Sequence, residues 1–332
     1  MRHASWILSL AGLAFVTSGV ARASVTVLLE EPFGHFGGMN PTGHAALYLS
    51  DVCAASPTAL RPCRTGEEGV VISRYHRVDG YDWLAIPLTP YLYAVDRPDQ
   101  APTTATAEEV AELRDAYRRA HLESVAPDLP GGGTPTGDWT QLIGAAYDRT
   151  IYAFGLPTTE ERDEEFIRRY NARTNQEHFN ILFHNCSDFV RHAVDFYYPH
   201  AIHRSFIADV GIMTPKQAAK SFVSYSKHHR DLEFTTFAIP QVPGSIPRST
   251  RVRGVLESLV KSKRYAVPLV GLAILHPVIG GSMAFAWLDG SRFDPRRVAE
   301  PGEVYAKSAY TKPAMVAAKL ESSIAVGVGA AQ

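Results

Sequence analysis

The sequence predicts an α+β domain in which a small antiparallel sheet packs against helices. Short runs rich in β-branched and aromatic residues, separated by turns, occupy the first hundred positions and favour strands. Capped amphipathic segments follow and favour helices. The 332 residues are enough for one sizeable core with an appendage. The 33 basic and 34 acidic residues nearly balance, so we expect no nucleic-acid partner.

The chain begins with the pattern of a secretory signal. Arg2 and His3 precede an apolar run from Trp6 to Val20, and residues 21–23 have the small-x-small pattern of a cleavage site. We expect residues 1–23 to be removed and the protein to be exported, periplasmic or extracellular. An uncleaved membrane anchor and a buried core helix are the alternatives.

Strands are predicted at both ends of the domain that we place at residues 24–245. A Gly-rich loop lies between the first two strands, and a loop containing Cys53 and Cys63 follows the second. A further short apolar strand, from His178, leads to Asn185. The other predicted strands cover residues 25–30, 44–50, 69–78, 81–88 and 231–241.

Helix-start signals dominate the middle of the chain, and we expect a helical insertion at about residues 104–174. Thr106 and Glu109 form a capping box that opens a helix to about Ser124. The other predicted helices begin at Asp138, over "WTQLIGAAYDRTIYAF", at Thr158, over "ERDEEFIRRYNAR", after Asn185, and at Thr214, where Pro215 takes the first helical position.

Residues 246–332 form a C-terminal region of different character. An amphipathic helix with basic flanks begins near Val252. Residues 266–288 then carry no charge and are long enough to span a bilayer. Arginines and lysines lie on both sides of this segment, whereas a simple span after an exported domain has them after it. A span and a hairpin lying on the membrane surface are both open, and either associates residues 250–288 with a membrane.

Three cysteines divide into a pair and a single residue. Cys53 and Cys63 lie close together in sequence, and we expect them to form a disulfide after export. Cys186 is then left over, which indicates an intermolecular bridge or a reactive thiol. A buried inert cysteine is the plain alternative.

Cys186 occupies the first turn of a predicted helix. Asn185 can cap that helix, and Asp188 can return a hydrogen bond to the cap. Free N–H groups and the helix dipole favour an anion there, so we expect a lowered thiol pKa and a partly ionised nucleophile near neutral pH. The same N–H groups could stabilise an oxyanion.

A thiol nucleophile needs a base and a group that orients the base. His44 is our candidate base, because it opens a predicted strand directly after the Gly-rich loop. His76, near the end of the next strand, is the candidate orienting residue, with His35 in the Gly-rich loop as the second choice. An exposed surface histidine is the plain interpretation of His76. Chemistry of this kind requires no cofactor.

Three segments, "GHAALYL", "NCSDF" and "TPKQAAKSF", give the region of about residues 25–240 a family resemblance. In order and context they resemble permuted papain-like cysteine enzymes of the NlpC and lecithin:retinol acyltransferase superfamily. They are similar in particular to the periplasmic cysteine domain of bacterial lipoprotein N-acyltransferases of the Lnb type. The resemblance implies a permuted papain-like fold with Cys186 as nucleophile and His44 as base. The family's third polar residue has no clear match.

The leading hypothesis is therefore an exported hydrolase or acyltransferase that acts on amide or ester bonds through an acyl-thioester on Cys186. Its substrate would be a lipid acyl group or a cell-wall peptide. An exported binding domain without activity is the first alternative. A metal-dependent hydrolase using His178, His184 and Cys186 is the second, although an extended strand would hold the two histidines about 20 Å apart.

Overall fold

The computed structural model describes residues 24–34, 42–76, 78–176, 178–261, 268, 271 and 273–298. The predicted signal segment 1–23, His35 and residues 299–332 lie outside this part of the chain. The described part has the predicted α+β architecture, with an antiparallel sheet and helices.

An antiparallel sheet of six strands forms the centre of the fold. The described part of the chain has eight strands: β1 (Ser24–Glu30), β2 (His44–Leu49), β3 (Val52–Ser56), β4 (Ala59–Pro62), β5 (Val70–Ser73), β6 (Leu84–Pro87), β7 (Ile151–Pro157) and β8 (Thr235–Ile239). The sheet has the order β6-β5-β2-β1-β7-β8, and β3 and β4 form a separate hairpin. As predicted, β2 begins at His44.

Helices cover both faces of this sheet. They are α1 (Leu88–Tyr93), α2 (Ala107–Tyr117), α3 (Ala145–Asp148), α4 (Glu160–Asn171), α5 (Cys186–Tyr197), α6 (Pro215–His228), α7 (Val255–Lys261), α8 (Pro277–Arg292) and α9 (Pro295–Val298). The predicted caps Thr106, Asn185 and Thr214 are confirmed, whereas Thr159 rather than Thr158 caps α4.

Alternation along each strand divides the buried residues into two cores. On β2, Ala46 and Tyr48 pack in the core that contains α1 and α2. Ala45 and Leu47 pack in the other core, with α4, α5 and α6. Because side chains alternate between the faces of a strand, His44 belongs to the face of Ala46 and Tyr48, opposite to α5.

The predicted long helix from Asp138 is wrong, since its last four residues belong to strand β7. Residues 138–141 form one short 3-10 turn and α3 is brief, after which the chain enters the sheet between β1 and β8. Ile151–Leu156 are buried on both faces. In a continuous apolar run, the spacing of apolar residues does not distinguish a buried strand from a buried helix. The predicted helical insertion at 104–174 therefore contains a central strand.

The strand predicted from His178 is also wrong. Asn180 accepts hydrogen bonds from the N–H groups of Leu182 and Phe183 and closes a tight turn, bridged to His184. Asparagine side chains commonly stabilise such turns. The three apolar residues at the tip, Ile181, Leu182 and Phe183, are exposed.

Cys53 and Cys63 form the predicted disulfide, and Cys186 has a free thiol. The segment predicted as a Pro/Cys loop is the hairpin of β3 and β4, so the disulfide fastens the end of that hairpin. A closed loop this short stabilises the fold by about 2–3 kcal/mol in the chain-entropy account.

The candidate membrane segment 266–288 is described in part, and most of its described residues belong to α8. Within the described ranges, no helix combines the length and the apolar character needed to cross a bilayer. Val278 of α8 and Leu275 before it are exposed, so this segment presents apolar side chains at the surface.

The turn into β2 depends on Gly43. Its φ is +75°, and a Cβ atom there would lie 2.1 Å from the carbonyl oxygen of Glu30. Gly66 has a similar φ of +85° but open space around it. We expect Gly66→Ala to lower the free energy of unfolding by about 1 kcal/mol, and Gly43→Ala by about 3 kcal/mol or more. Urea unfolding of both variants tests this, and equal losses would contradict the close approach.

Candidate functional site

Helix α5 begins at Cys186 because Asn185 caps it. The Asn185 Oδ1 accepts hydrogen bonds from the N–H groups of Ser187 at 2.9 Å and Asp188 at 3.1 Å. The Asp188 carboxylate accepts the Asn185 N–H at 3.3 Å. The predicted reciprocal cap is confirmed, and it places the nucleophile candidate at the first helical position.

Both capping residues also form polar contacts with neighbouring loops. Asn185 donates its side-chain amide to the carbonyls of Ile181 at 2.9 Å and Met213 at 3.0 Å. Asp188 is fully buried and pairs with Arg204. These contacts occupy the Asn185 amide, so its side chain has no donor left for an oxyanion. Among the described residues, the Cys186 N–H has no acceptor, and it is the donor that remains at this helix end.

The sulfur of Cys186 faces the start of β2. Its surroundings include the backbone N–H of Ala45, which would stabilise a thiolate, and the Ser187 hydroxyl at 3.9 Å. Ala45 directly follows His44. The thiol thus lies beside the backbone of the residue after His44, whereas the His44 side chain is on the opposite face of the sheet.

The hydrogen bonds of Ser73 determine the tautomer of His44. The Ser73 hydroxyl donates to the Ala45 carbonyl at 2.9 Å, and its oxygen lies 2.8 Å from His44 Nε2. Because a hydroxyl has one proton, Nε2 must carry the proton of the second bond. The neutral imidazole then has its lone pair on Nδ1, the nitrogen that can accept a proton.

Tyr75 lies beside both candidates. Its ring stacks on His44 with centroids 4.9 Å apart, and a charge on Cys186 would help to raise its pKa. Across the described part of the chain, no hydrogen bond joins His44 to Cys186. The two residues therefore have no direct proton contact in this conformation.

His76 does not orient His44, which corrects the sequence-based expectation. Its ring packs against Phe179, with centroids 5.0 Å apart. Ser73 has the orienting position instead, since it lies on β5, the sheet neighbour of β2. The only signal in the sequence was a polar residue closing the apolar run "VVIS".

Both candidates are neutral at rest, because His44 is buried and the half-buried Cys186 is largely removed from water. Desolvation raises the pKa of the Cys186 thiol, and the nearby Glu30 carboxylate acts in the same direction, against the N–H groups of Ala45 and Ser187. Desolvation also lowers the pKa of His44 to about 3, with Arg149 adding to the effect. The expectation of a partly ionised thiol near neutral pH is therefore wrong for this conformation.

A buried ion pair accounts for the charges near His44. Glu30 lies opposite His44 in the ladder of β1 and β2, 3.0 Å from Arg149, and accepts a hydrogen bond from Tyr91. The guanidinium of Arg149 also lies over the Phe33 ring, 4.4 Å from its centroid. Removing either ion would leave the other uncompensated in the core.

The residues of the metal alternative do not form a ligand set. His178 is exposed, and its Nδ1 contacts the Gln176 carbonyl at 2.5 Å. Within the described ranges, the one group of donors close enough to hold a metal is Cys53, Cys63 and Glu67. Its two sulfurs are bonded to each other in the disulfide.

Comparisons with models of protein families, with curated proteins and with solved structures found no match. The functional argument therefore rests on the geometry of this site.

The raised pKa of Cys186 has a measurable consequence. A thiol reacts as its thiolate, so the rate of iodoacetamide labelling should still be rising with pH above the ordinary range of a cysteine. The protein unfolded in urea is the control, and should label with a pKa near ~8.5. A labelling rate that levels off below pH 8 in the folded protein would show an ionised thiol instead.

Asp188 should matter for stability more than an ordinary cap. We expect Asp188→Ala to lower the free energy of unfolding by about 3 kcal/mol, because it removes the cap and leaves the Arg204 charge without its partner. The control is Glu109→Ala, which removes the exposed reciprocal cap of α2 and should cost about 1 kcal/mol. Chemical denaturation compares the two, and losses of the same size would count against the buried pair.

Proposed function

We propose that this chain is an exported cysteine hydrolase or acyltransferase that acts on amide or ester bonds. Cys186 is the nucleophile, His44 the general base, and Ser73 the residue that orients the base. The observation that carries the proposal is the pair of hydrogen bonds made by Ser73, which leaves the basic lone pair on Nδ1 of His44, the residue before the Ala45 N–H that the thiol faces.

The first step forms the acyl-thioester. The sulfur attacks the substrate carbonyl while its proton passes to Nδ1 of His44, so no free thiolate accumulates. The carbonyl oxygen becomes an oxyanion, and the Cys186 N–H is placed to donate to it. The tetrahedral intermediate then collapses, the bond to the alcohol or amine breaks, and the leaving group takes the proton from Nδ1.

The second step releases the acyl group. Water or an acceptor amine gives a proton to Nδ1 as it attacks the thioester carbonyl. Collapse of this intermediate breaks the carbon–sulfur bond, and the sulfur recovers its proton from the imidazolium. Hydrolysis and transfer differ only in the acceptor, so a site that excludes water favours transfer.

The order of the residues supports a permuted papain-like fold. The strand histidine precedes the helix cysteine, as in the family that the sequence resembles. Ser73 would then fill the place of the third polar residue, for which the sequence offered no match. An exported location, proposed from residues 1–23, agrees with the Cys53–Cys63 disulfide, since disulfides persist in oxidising compartments.

The surface beside the nucleophile favours a lipid acyl group over a cell-wall peptide. Ile181 and Phe183 are exposed on the turn before α5, and Phe206 and Val210 on the loop after it. Arg204 joins these two loops, donating to the carbonyls of Leu182 and Gly211. Exposed apolar side chains on two loops that are held together in this way are typical of sites that meet a partner or a membrane.

A binding domain without activity is the second candidate. The missing hydrogen bond between His44 and Cys186, and the neutral state of both groups, favour it. The two functions differ in one property, because only the enzyme forms a covalent acyl adduct.

Acyl capture tests the enzyme proposal. We expect the full chain, treated with p-nitrophenyl butyrate or dodecanoate, to gain one hydroxylamine-labile acyl mass, and Cys186→Ala to gain none. Ser73→Ala should slow capture about 10-fold or more, because His44 loses its fixed tautomer. The control Ser56→Ala removes an exposed hydroxyl and should leave the rate unchanged. An unmodified wild-type protein would favour the binding domain, and equal rates for both serine variants would remove Ser73 from the mechanism.

A further inference from the structure

A cavity of ≈ 500 Å³ lies along α5, within one helical turn of the nucleophile. Its wall includes Phe189, one turn after Cys186, and Arg74, which directly follows Ser73. Arg74 also donates to the Asn185 carbonyl at 3.4 Å. Arg74 and the first turn of α5 therefore belong both to the cavity wall and to the surroundings of the proposed reaction centre.

Three guanidinium groups line this cavity, and two of them lack a counter-ion. Arg74 is buried and pairs with Asp82 at 2.6 Å. Asp195, on the opposite wall, lies 3.6 Å from Arg191, which is outside the lining. Arg169 and Arg173 form no ion pair with any described residue. They lie four positions apart, on the last turn of α4 and just beyond it, so both can face the cavity.

Arginines also act on a histidine in the cavity wall. Burial lowers the pKa of His192, another lining residue, to about 4, and the guanidiniums of Arg191, Arg74 and Arg173 contribute. In the described structure the buried Nε of Arg74 has no acceptor, whereas one carboxylate oxygen of Asp82 and one of Asp195 have no donor, which the hydroxyl of a singly protonated phosphate could supply. Unsatisfied polar atoms of this kind around a cavity indicate a missing polar partner.

The rest of the wall is aromatic. Trp83, Tyr170, Phe189 and Phe196 contribute their rings. The Arg169 guanidinium lies 5.6 Å from the Phe196 ring centroid and that of Arg173 lies 5.5 Å from the Tyr170 centroid, so both are held by stacking while their donors stay available. A ligand that fits would have a compact anionic group next to an apolar body.

We propose that this cavity binds a phosphate group, with Arg169 and Arg173 as its principal ligands, and that it selects a phosphate-bearing substrate for Cys186. Arginine forks match phosphate oxygens with paired, charge-assisted hydrogen bonds, and two uncompensated guanidiniums suit a group of up to two negative charges. The assignment of the phosphate to the substrate rests on the proposed function, whereas phosphate binding itself does not.

Calorimetric titration of the full chain tests this, with inorganic phosphate and with dihexanoyl phosphatidic acid below its micelle concentration as probes. We expect both probes to bind at constant ionic strength. The double variant Arg169→Gln/Arg173→Gln should bind each probe at least about 10-fold more weakly. The matched control is Arg168→Gln, which removes an exposed guanidinium 4.0 Å from Glu164 on the same helix and should bind as wild type.

The relative affinities of the two probes distinguish a lipid headgroup from a free phosphate group as the ligand. Binding of the lipid 10-fold tighter than inorganic phosphate supports a lipid headgroup, and equal binding supports a free phosphate group. Unchanged binding in the double variant, an equal loss in Arg168→Gln, or equally tight binding of acetate would overturn the proposal. Cys186→Ala should retain phosphate binding although it cannot capture an acyl group, so failure of the cavity and failure of the chemistry are distinguishable.

Discussion

The single proton of the Ser73 hydroxyl constrains the arrangement of the whole site. It is given to the Ala45 carbonyl, so His44 must donate from Nε2, and the basic lone pair is left on Nδ1. Ala45 takes part a second time, because its N–H faces the sulfur of Cys186. Ala45 thus accepts the hydrogen bond that fixes Ser73 and presents its N–H to the Cys186 thiol.

Two opposing effects act on Cys186, and burial is the larger. The first turn of a helix favours a thiolate through its free N–H groups and dipole, usually by 0.3–1 kcal/mol at an exposed site and up to about 2 kcal/mol when partly buried. Removing a charge from water costs more than this unless a counter-ion is present. The carboxylate that acts on the thiol, that of Glu30, has the wrong sign to help. The position of Cys186 on its helix therefore did not predict the ionisation state of the thiol. The sequence shows the helix cap but not how far the sulfur is removed from water.

The features that the sequence predicted well are those with a local cause. The cap at Asn185 and Asp188, the start of β2 at His44 and the disulfide all depend on residues close together in the chain. The features that it missed depend on what packs from elsewhere. Strand β7 is a strand because β1 and β8 flank it, and Ser73 orients His44 only because β5 lies beside β2. His76 had the more familiar chemistry, but it lies beyond the end of β5 and packs against Phe179.

The strand order has a consequence for folding kinetics. The central pairing of β1 with β7 closes a very long loop, as the contact between Glu31 and Tyr152, 121 positions apart, shows. Such non-local pairing slows folding, because the entropy of closure is lost before the contacts form. The hairpin of β3 and β4 is local and can form early with its disulfide. Until β1 meets β7, the half of the sheet formed by β6, β5, β2 and β1 has no complete core beneath it, so the thiol of Cys186 stays accessible to oxidants during the slowest stage of folding.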